Sequence, residues 1–245
     1  MIPKIIHYCW FGGKPLPKFA KKCIESWRKY LPDYEIKEWN ESNFDVNICQ
    51  YTQEAYQSKK YAFVSDYARF WILYHYGGIY FDTDVEVIRP MQHILEKGDF
   101  MACEIKESNE IWPRINSGLG LASCKTHPIY KDILNHYEQS TFLMHDGSVN
   151  YMTVVQRVTN IFKNYGLRPI EDIQVCEGIT IYPPDYFCPK SFETREITIT
   201  KNTVAIHHFD ASWMKGSFVF NLSRKIFGTE LTFRIKKYFK RNRRI

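Results

Sequence analysis

Residues 61–84 constrain the fold more than any other part of the chain. Residues 61–76 are apolar nearly all round a helical projection, which predicts a helix buried on every side. Gly77 and Gly78 end that helix. Residues 79–81 then predict a short buried strand that carries Asp82 and Asp84 at its end. A buried helix that leads directly into a buried strand is typical of an α/β protein.

The rest of the chain fits the same fold class. Residues 2–8 and 34–39 predict strands on either side of a helix over residues 18–30. Further strands are expected near residues 85–88, 100–103, 179–182 and 204–207, and helices near 128–137 and 149–165. No internal repeat or low-complexity linker divides the 245 residues. The sequence therefore predicts one α/β domain, which we bound at residues 1–217.

Composition excludes several classes of protein. At 44% hydrophobic and 24% charged residues, the chain is expected to fold rather than to be disordered. None of the seven cysteines forms a C-x-x-C pair, so neither a zinc knuckle nor a redox motif is expected. We see no signal peptide and no apolar run of the roughly 18–20 residues that a membrane span requires. These features predict a cytoplasmic protein with free thiols.

The positive charge is concentrated at the C-terminus. Residues 214–245 hold ten Lys or Arg and one acid, so the net charge of +6 comes from this segment alone. Residues 218–245 predict a basic amphipathic helical tail, typical of peripheral binding to a membrane at its inner, cytoplasmic face. A solvated terminal helix is the alternative. Nucleic acid is not an expected partner, because the rest of the chain is acidic.

Two pairs of charged residues carry the candidate chemistry. Asp82 and Asp84 are two apart at a strand end, and a pair of close carboxylates needs a cation such as Mg²⁺ or Mn²⁺. The alternative is two solvated acids. Asp66 and Arg69 share one face of the preceding helix. They form either an intrahelical ion pair or a ligand-binding pair, since both charges are costly on an apolar helix.

Three motifs together resemble glycosyltransferase family 32. They are Trp10-Phe11-Gly12-Gly13, Ser65-Asp66-x-x-Arg69 and Gly77-Gly78-x-Tyr80-x-Asp82-x-Asp84. The resemblance is dense over residues 1–90 and returns near residues 204–213. It implies a GT-A fold, which is Rossmann-like and binds a nucleotide sugar, and a retaining, metal-dependent sugar transfer.

The resemblance also implies roles for residues in the first half of the chain. Trp10 would stack on the nucleotide base, with backbone contacts from His7 and Tyr8; core packing is the alternative for Trp10. Ser65, Asp66 and Arg69 would hold the donor sugar and its diphosphate. Tyr80 would lie near the donor phosphate or sugar. Asp82 would contact ribose, sugar and metal, and Asp84 would bind the metal directly.

Later residues complete the implied site. Asn116 would lie beside the donor sugar, although Asn116-Ser117-Gly118 also fits a structural turn. The segment over residues 207–213 resembles one that supplies a further metal ligand, with Ser212 and Trp213 over the phosphates. The spacing to Trp213 favours His208 as that ligand, with His207 as the alternative, since adjacent strand residues face opposite ways.

The expected activity is transfer of a sugar from a nucleotide sugar, UDP more than GDP, with Mn²⁺ or Mg²⁺. The expected acceptor is a saccharide or lipid-linked saccharide in capsule or other surface polysaccharide synthesis. Two alternatives stay open. Phe81-Asp82-Thr83-Asp84-Val85 also resembles the first motif of haloacid-dehalogenase-type phosphohydrolases, in which the first Asp is a nucleophile. The other alternative is a membrane-surface adaptor that has lost turnover.

Overall fold

A computed structural model describes residues 1–106, 110–192 and 194–210. The helices are α1 (Lys18–Tyr30), α2 (Gln50–Gln57), α3 (Tyr61–Tyr76), α4 (Gln92–Leu95), α5 (Pro128–Glu138), α6 (Val154–Lys163) and α7 (Pro184–Phe187). The strands are β1 (Ile5–Cys9), β2 (Glu35–Trp39), β3 (Gly78–Tyr80), β4 (Val85–Val87), β5 (Phe100–Glu104), β6 (Arg114–Ile115), β7 (Leu121–Ser123), β8 (Gln174–Cys176), β9 (Ile179–Tyr182) and β10 (Ala205–His207).

A mixed sheet forms the centre of the fold. Its strands run in the order β2-β1-β3-β7-β5-β9-β8, and β6 pairs with β5 beside this path. The β1/β2, β1/β3 and β5/β9 pairs are parallel, whereas β7 is antiparallel to both of its neighbours. A separate two-stranded ribbon pairs β4 with β10. The α/β class predicted from the sequence is confirmed.

Each face of the central sheet has its own hydrophobic core. Tyr80 and Met101 lie in the core that contains α2, α3, α5 and α6. Ile79 and Phe100 lie in the opposite core, with α1, α4, α7 and the β4/β10 ribbon. Neighbouring residues of one strand enter different cores because side chains alternate along a strand. The sheet is thus covered on both faces, as buried strands require.

The glycine pair between α3 and β3 has a steric purpose. Gly77 ends the helix with φ of 65°, and Gly78 follows with φ of 102°. A Cβ on Gly78 would lie 2.6 Å from the carbonyl oxygen of Ile5 on the neighbouring strand. Only glycine combines that positive φ with so close an approach. The pair therefore lets α3 turn back and place β3 beside β1.

Most predicted elements are present, with changed bounds. The helix at residues 18–30 and the helix at residues 61–76 are confirmed. The helix predicted over residues 149–165 begins only at Val154, because Val149 forms a β-bridge with Leu143 and Thr153 caps the helix. The prediction missed α2, whose polar sequence has little apolar periodicity.

Two further expectations bear on the whole chain. All seven cysteines are free thiols, as predicted. Among the described residues, no helix has both the length and the apolar character that crossing a membrane requires. The predicted basic tail, residues 218–245, lies outside the described residues, so the division of the chain at residue 217 stays a prediction.

Candidate active site

Two carboxylates and one imidazole meet where β3 and β10 end and β4 begins. Asp82 follows β3, and its backbone N–H donates to the carbonyl of Gly118 at 3.1 Å. Asp84 directly precedes β4, and His207 is paired opposite Val85 at the end of β10. One possible ligand atom from each of Asp82, Asp84 and His207 lies within 4.8 Å of the others.

The structure places His207, and not the favoured His208, at the carboxylates. His207 Nε2 lies 3.2 Å from Asp84 Oδ1. His208 Nε2 instead lies 2.8 Å from Glu86 Oε2, and its ring packs edge-on against Phe19. The described geometry therefore favours His207, the alternative given by the sequence, over His208, and the ligand itself stays a prediction. The register of β10 on β4 decides which imidazole faces the site, and the spacing to Trp213 does not.

The guanidinium of Arg69 organises the other half of the site. Its NH2 group lies 3.1 Å from Asp66 Oδ1 and 3.1 Å from Asp82 Oδ1. Its NH1 group donates to Ser117 Oγ at 3.1 Å, and its Nε donates to the carbonyl of Ser65 at 3.1 Å. The intrahelical ion pair is therefore present, and Arg69 also contacts Asp82; ligand binding by Asp66 and Arg69 stays a prediction.

Burial and nearby charges set the protonation of this group. Burial raises the pKa of Asp66 to about 6, although Arg69 opposes that shift. Burial likewise raises the pKa of Asp82 above its usual range. Burial disfavours the charge of Arg69, but Asp82, Tyr80 and Asp66 outweigh it and raise the pKa of the guanidinium. A permanently charged Arg69 thus sits between two carboxylates that are costly to ionise.

For Asp84 and His207, the pKa shifts favour the charged form of each group, in contrast to Asp66 and Asp82. Burial works against the charged form of Asp84, but His207 outweighs it and lowers the pKa of that carboxyl to about 2. Burial also works against the charged imidazole, yet Asp84 and then Asp82 raise the pKa of His207 above its ordinary value. The backbone N–H of Asp210 donates to Asp84 Oδ2 at 2.8 Å, which further favours the carboxylate.

The residues present suit a divalent cation. His207 Nδ1 is buried and, within the described residues, has no hydrogen-bond partner. Two carboxylates and an imidazole form a donor set that Mn²⁺ or Mg²⁺ accepts, with places left for water or phosphate oxygens. Asp82, Asp84 and His207 are therefore the described residues that could hold the ion.

Asn116 occupies a tight turn beside Asp82. Its side-chain amide donates to Glu104 Oε2 at 2.7 Å, and its Oδ1 accepts from the backbone N–H of Gly118 at 2.8 Å. A Cβ on Gly118 would overlap the Asp82 carboxylate. The sequence analysis missed both Gly118 and Glu104. The Asn-Ser-Gly turn was a usable signal for Gly118, whereas a single acid at a strand end gave none for Glu104.

The N-terminal residues take different positions from those expected. His7 is buried, its Nε2 lies 2.9 Å from the Gly77 carbonyl, and its Nδ1 accepts from Trp39 Nε1 at 3.0 Å. Burial lowers the pKa of His7 to about 4, so the ring is neutral at pH 7. Its carbonyl accepts from Phe81 N–H at 3.1 Å. The described fold uses both the side chain and the carbonyl of His7, and its contact with a nucleotide stays a prediction.

Tyr8 and Tyr80 are also engaged by protein groups. The Tyr8 hydroxyl donates to Glu38 Oε2 at 2.7 Å. Tyr80 is 1% exposed and donates to Asp82 Oδ1 at 3.0 Å. A direct contact of Tyr80 with a donor is therefore not supported, since its hydroxyl orients Asp82 from within the core. Tyr80 thus supports the site from within the core, and neither tyrosine faces solvent.

Trp10 and Ser65 stay candidates for donor binding. The Trp10 indole is partly buried, and its Nε1 donates to the carbonyl of Lys14 at 2.5 Å. The Ser65 hydroxyl is partly buried and donates to the carbonyl of Tyr61 at 3.2 Å. Ser212 and Trp213 lie outside the described residues, so their positions stay predictions.

Comparison with known proteins gives a consistent result. Residues 17–101 match the family model described as a glycosyltransferase sugar-binding region containing a DXD motif. Inositol phosphoceramide mannosyltransferase 1 of Schizosaccharomyces pombe is 32% identical over 194 residues, which cover 73% of this chain and 56% of the relative. Uncharacterized glycosyltransferase L373 of Acanthamoeba polyphaga mimivirus is 26% identical over 203 residues, covering 78% of this chain and 77% of the relative.

The matches among solved structures include two transferases. The PaToxG glycosyltransferase covers 66% of this chain and 69% of its own, with 19% identity and a TM-score of 0.48. The galactosyltransferase LgtC covers 94% of both chains, with 11% identity and a TM-score of 0.47. The chain spans about half the length of several curated relatives it matches. The match over residues 17–101 supports the resemblance seen in the sequence, and the mixed sheet agrees with the α/β class. The GT-A fold that the resemblance implied stays an expectation.

Proposed function

We propose that the chain, whose residues 17–101 match the DXD-containing sugar-binding region of glycosyltransferases, transfers a hexose from a nucleotide sugar with the help of a divalent cation. The observation that carries the proposal is the juxtaposition of Asp82, Asp84 and His207 with the Asp66–Arg69 pair. The region that matches the family model, residues 17–101, contains the pairs Asp66/Arg69 and Asp82/Asp84. His207 lies outside that region.

The ion's task follows from the charge that the reaction develops. When bound, Mn²⁺ or Mg²⁺ supplies a Lewis acid for the diphosphate that leaves the sugar. Asp84, Asp82 and His207 would hold it. Arg69 keeps Asp66 and Asp82 oriented, and Tyr80 fixes the same oxygen of Asp82 from the core. Such preorganised groups stabilise charge in the transition state without having to reorganise.

Asp66 is proposed to bind the donor sugar. Its side chain is 13% exposed, while the side chain of Arg69 is 4% exposed, so the carboxylate is the more accessible member of this buried pair. Arg69 is accordingly proposed as a positioning residue, not as a direct ligand of the diphosphate. We also propose the donor-side roles that the family resemblance implies for Asn116, Trp10, Ser65, Ser212 and Trp213.

The stereochemical course is proposed to be retention. Each carboxylate of the described site either belongs to the proposed cation site or pairs with Arg69 or Arg114. We therefore assign no covalent nucleophile. A same-face attack, in which the leaving phosphate oxygen takes the acceptor's proton, needs no protein base. The chain's contribution is then to orient the donor and to stabilise the leaving diphosphate.

The identities of the donor nucleotide and of the acceptor are further proposals. We propose UDP as the nucleotide, and a saccharide or lipid-linked saccharide of surface polysaccharide, such as capsule, as the acceptor. Relatives named inositol phosphoceramide mannosyltransferase and lactosylceramide 4-alpha-galactosyltransferase support an acceptor carried on a lipid. A cytoplasmic enzyme held at the membrane by its basic tail would meet such an acceptor at the bilayer surface.

The test is donor turnover by the full chain. Release of nucleoside diphosphate is measured for UDP- and GDP-linked glucose, galactose and mannose, with Mn²⁺ and with EDTA. We expect slow hydrolysis of one donor that EDTA abolishes, and unchanged hydrolysis in the Asp33→Ala control, whose carboxylate is exposed. Cleavage of p-nitrophenyl phosphate that Asp82→Asn abolishes, without turnover of any donor, would replace the proposal by the phosphohydrolase alternative.

A further inference from the structure

One face of α1 and the turn before it carry a dense positive charge. Residues 14–29 contain six basic residues and one acid, Glu25, whereas the rest of residues 1–213 has a net charge of −8. All six basic residues are exposed. We call these six the basic face: Lys14, Lys18, Lys21, Lys22, Arg28 and Lys29.

Helical geometry explains why these charges share one side. Positions 18, 21, 22, 25, 28 and 29 follow a spacing of three and four, which places them along one stripe of a helix. The opposite stripe of α1 is buried and holds Ala20, Cys23, Ile24 and Trp27. The helix of 13 residues is about 20 Å long. The basic face is therefore an elongated strip and not a pocket.

Few of these charges are neutralised by the protein. Lys22 lies 3.5 Å from Glu86, and Arg28 pairs with Glu25 at 2.5 Å. Within the described residues, Lys18 and Lys21 have no acidic partner within ion-pair distance. At least four of the six cations are thus available to a partner outside the chain.

The strip adjoins the candidate active site. Phe19, in the first turn of α1, packs edge-on against His208 at 5.0 Å between ring centroids. Further along the helix, Trp27 Nε1 donates to the carbonyl of Val85 at 2.8 Å, and the backbone N–H of Val87 donates to Ser26 Oγ at 2.9 Å. The helix is therefore fixed to β4, the strand that directly follows Asp84.

We propose that the basic face docks on the surface of an anionic lipid membrane and so holds the active site beside the bilayer. A strip of lysines without a groove fits a planar array of negative headgroups. Nucleic acid fits it less well, because the aromatic rings along the strip, Phe19 and Tyr30, are only partly exposed and Lys29 lies over the ring of Tyr30. The negative charge of the rest of residues 1–213 repels the same membrane, which leaves one favoured orientation.

The inference is independent of the donor sugar and of the basic segment at residues 214–245. The test uses the full chain and vesicles of phosphatidylcholine with 30% phosphatidylserine, compared with vesicles of phosphatidylcholine alone. The variant is Lys18→Glu, Lys21→Glu and Lys29→Glu together. The matched control is Lys97→Glu, Lys125→Glu and Lys201→Glu, which makes the same charge change at exposed positions outside α1.

Each lysine near an anionic surface contributes roughly fivefold in affinity, so the α1 variant should bind anionic vesicles at least tenfold more weakly than wild type. The control should stay within about twofold, and raising NaCl from 50 to 300 mM should weaken wild-type binding. Donor hydrolysis in detergent-free buffer and the thermal melting curve should be the same in all three proteins, which separates loss of docking from loss of folding or catalysis.

Three results would overturn the proposal. In the first, wild type does not bind the anionic vesicles more tightly than the neutral ones. In the second, both triple variants lose binding equally, which assigns the effect to overall charge and the C-terminal segment. In the third, the α1 variant binds the anionic vesicles as tightly as wild type does. If the same variant then loses binding to a single-stranded RNA oligomer, the strip is assigned to nucleic acid.

Discussion

Replacing Arg69 by methionine tests the electrostatic structure of the site. The guanidinium is 4% exposed and contacts two carboxylates, Asp66 and Asp82, at 3.1 Å each. Removing one partner of a buried ion pair costs about 3–5 kcal/mol, since it leaves uncompensated charge in the interior. For a chain of this size we expect the melting temperature to fall by roughly 6–20 °C.

The loss should depend on pH in a defined direction. Asp66 has a raised pKa of about 6, so at pH 5 this carboxyl is largely protonated and needs no cation. At pH 8 the variant either buries ionised carboxylates or protonates them, and both lower its free energy of unfolding. The difference in free energy of unfolding between wild type and Arg69→Met should therefore be larger at pH 8 than at pH 5.

Urea unfolding followed by circular dichroism, in EDTA, measures both effects. The matched control is Arg28→Met, whose ion pair with Glu25 is largely exposed and should contribute less than about 1 kcal/mol. The account of the site is refuted if Arg69→Met is no less stable than Arg28→Met. It is also refuted if the loss in Arg69→Met is the same at pH 5 and pH 8.

Three further predictions follow from individual contacts. Gly118→Ala would push the Asp82 carboxylate aside by about 1 Å and should lower donor hydrolysis roughly 100-fold with little change in melting temperature; unchanged turnover would contradict this geometry. His207→Gln should weaken Mn²⁺ binding by at least roughly 10-fold in a calorimetric titration, whereas His208→Gln should change it little; the reverse order would restore His208 as the ligand. Because the folded-state pKa of Asp66 lies above its unfolded value, wild-type stability should fall from pH 4 to pH 6 by about 2 kcal/mol relative to Asp66→Asn, and parallel pH profiles in urea would disprove the shift.

The parts of the fold that the sequence predicts best are those with local causes. The helix α3 has both its bounds predicted, because it is apolar on all sides and ends at a glycine with positive φ. The pairing of Asp82 and Asp84 at a strand end is equally local. Periodicity, turn residues and motif spacing act over a few residues, so one sequence is enough to find them.

The parts that it predicts poorly depend on distant partners. Arg69 donates to Ser117, which is 48 positions away in the chain, and nothing near Arg69 announces this contact. His207 faces Asp84 because β10 pairs with β4 in one register, and a shift by one residue would have presented His208 instead. His7 becomes a core residue through Gly77 and Trp39. Such assignments require the tertiary arrangement.

Gly118 depends on both a local feature, which the sequence shows, and a tertiary contact, which it does not. The Asn-Ser-Gly turn is visible in the sequence, which predicts a donor-side role for its asparagine. The steric reason for the glycine appears only when the Asp82 carboxylate is seen against it. The tight turn and the carboxylate thus form one unit, which the structure supplies and the sequence only suggests.

The central claim is that Asp82, Asp84 and His207 hold the cation that binds the donor diphosphate. Calorimetric titration of the full chain with the nucleoside diphosphate of the active donor, with Mn²⁺ and with EDTA, tests it directly in wild type and in Asp84→Asn. The account predicts one Mn²⁺-dependent site in wild type and binding at least roughly 100-fold weaker in the variant. Equal affinity in the two proteins, or wild-type binding that is indifferent to EDTA, would contradict it.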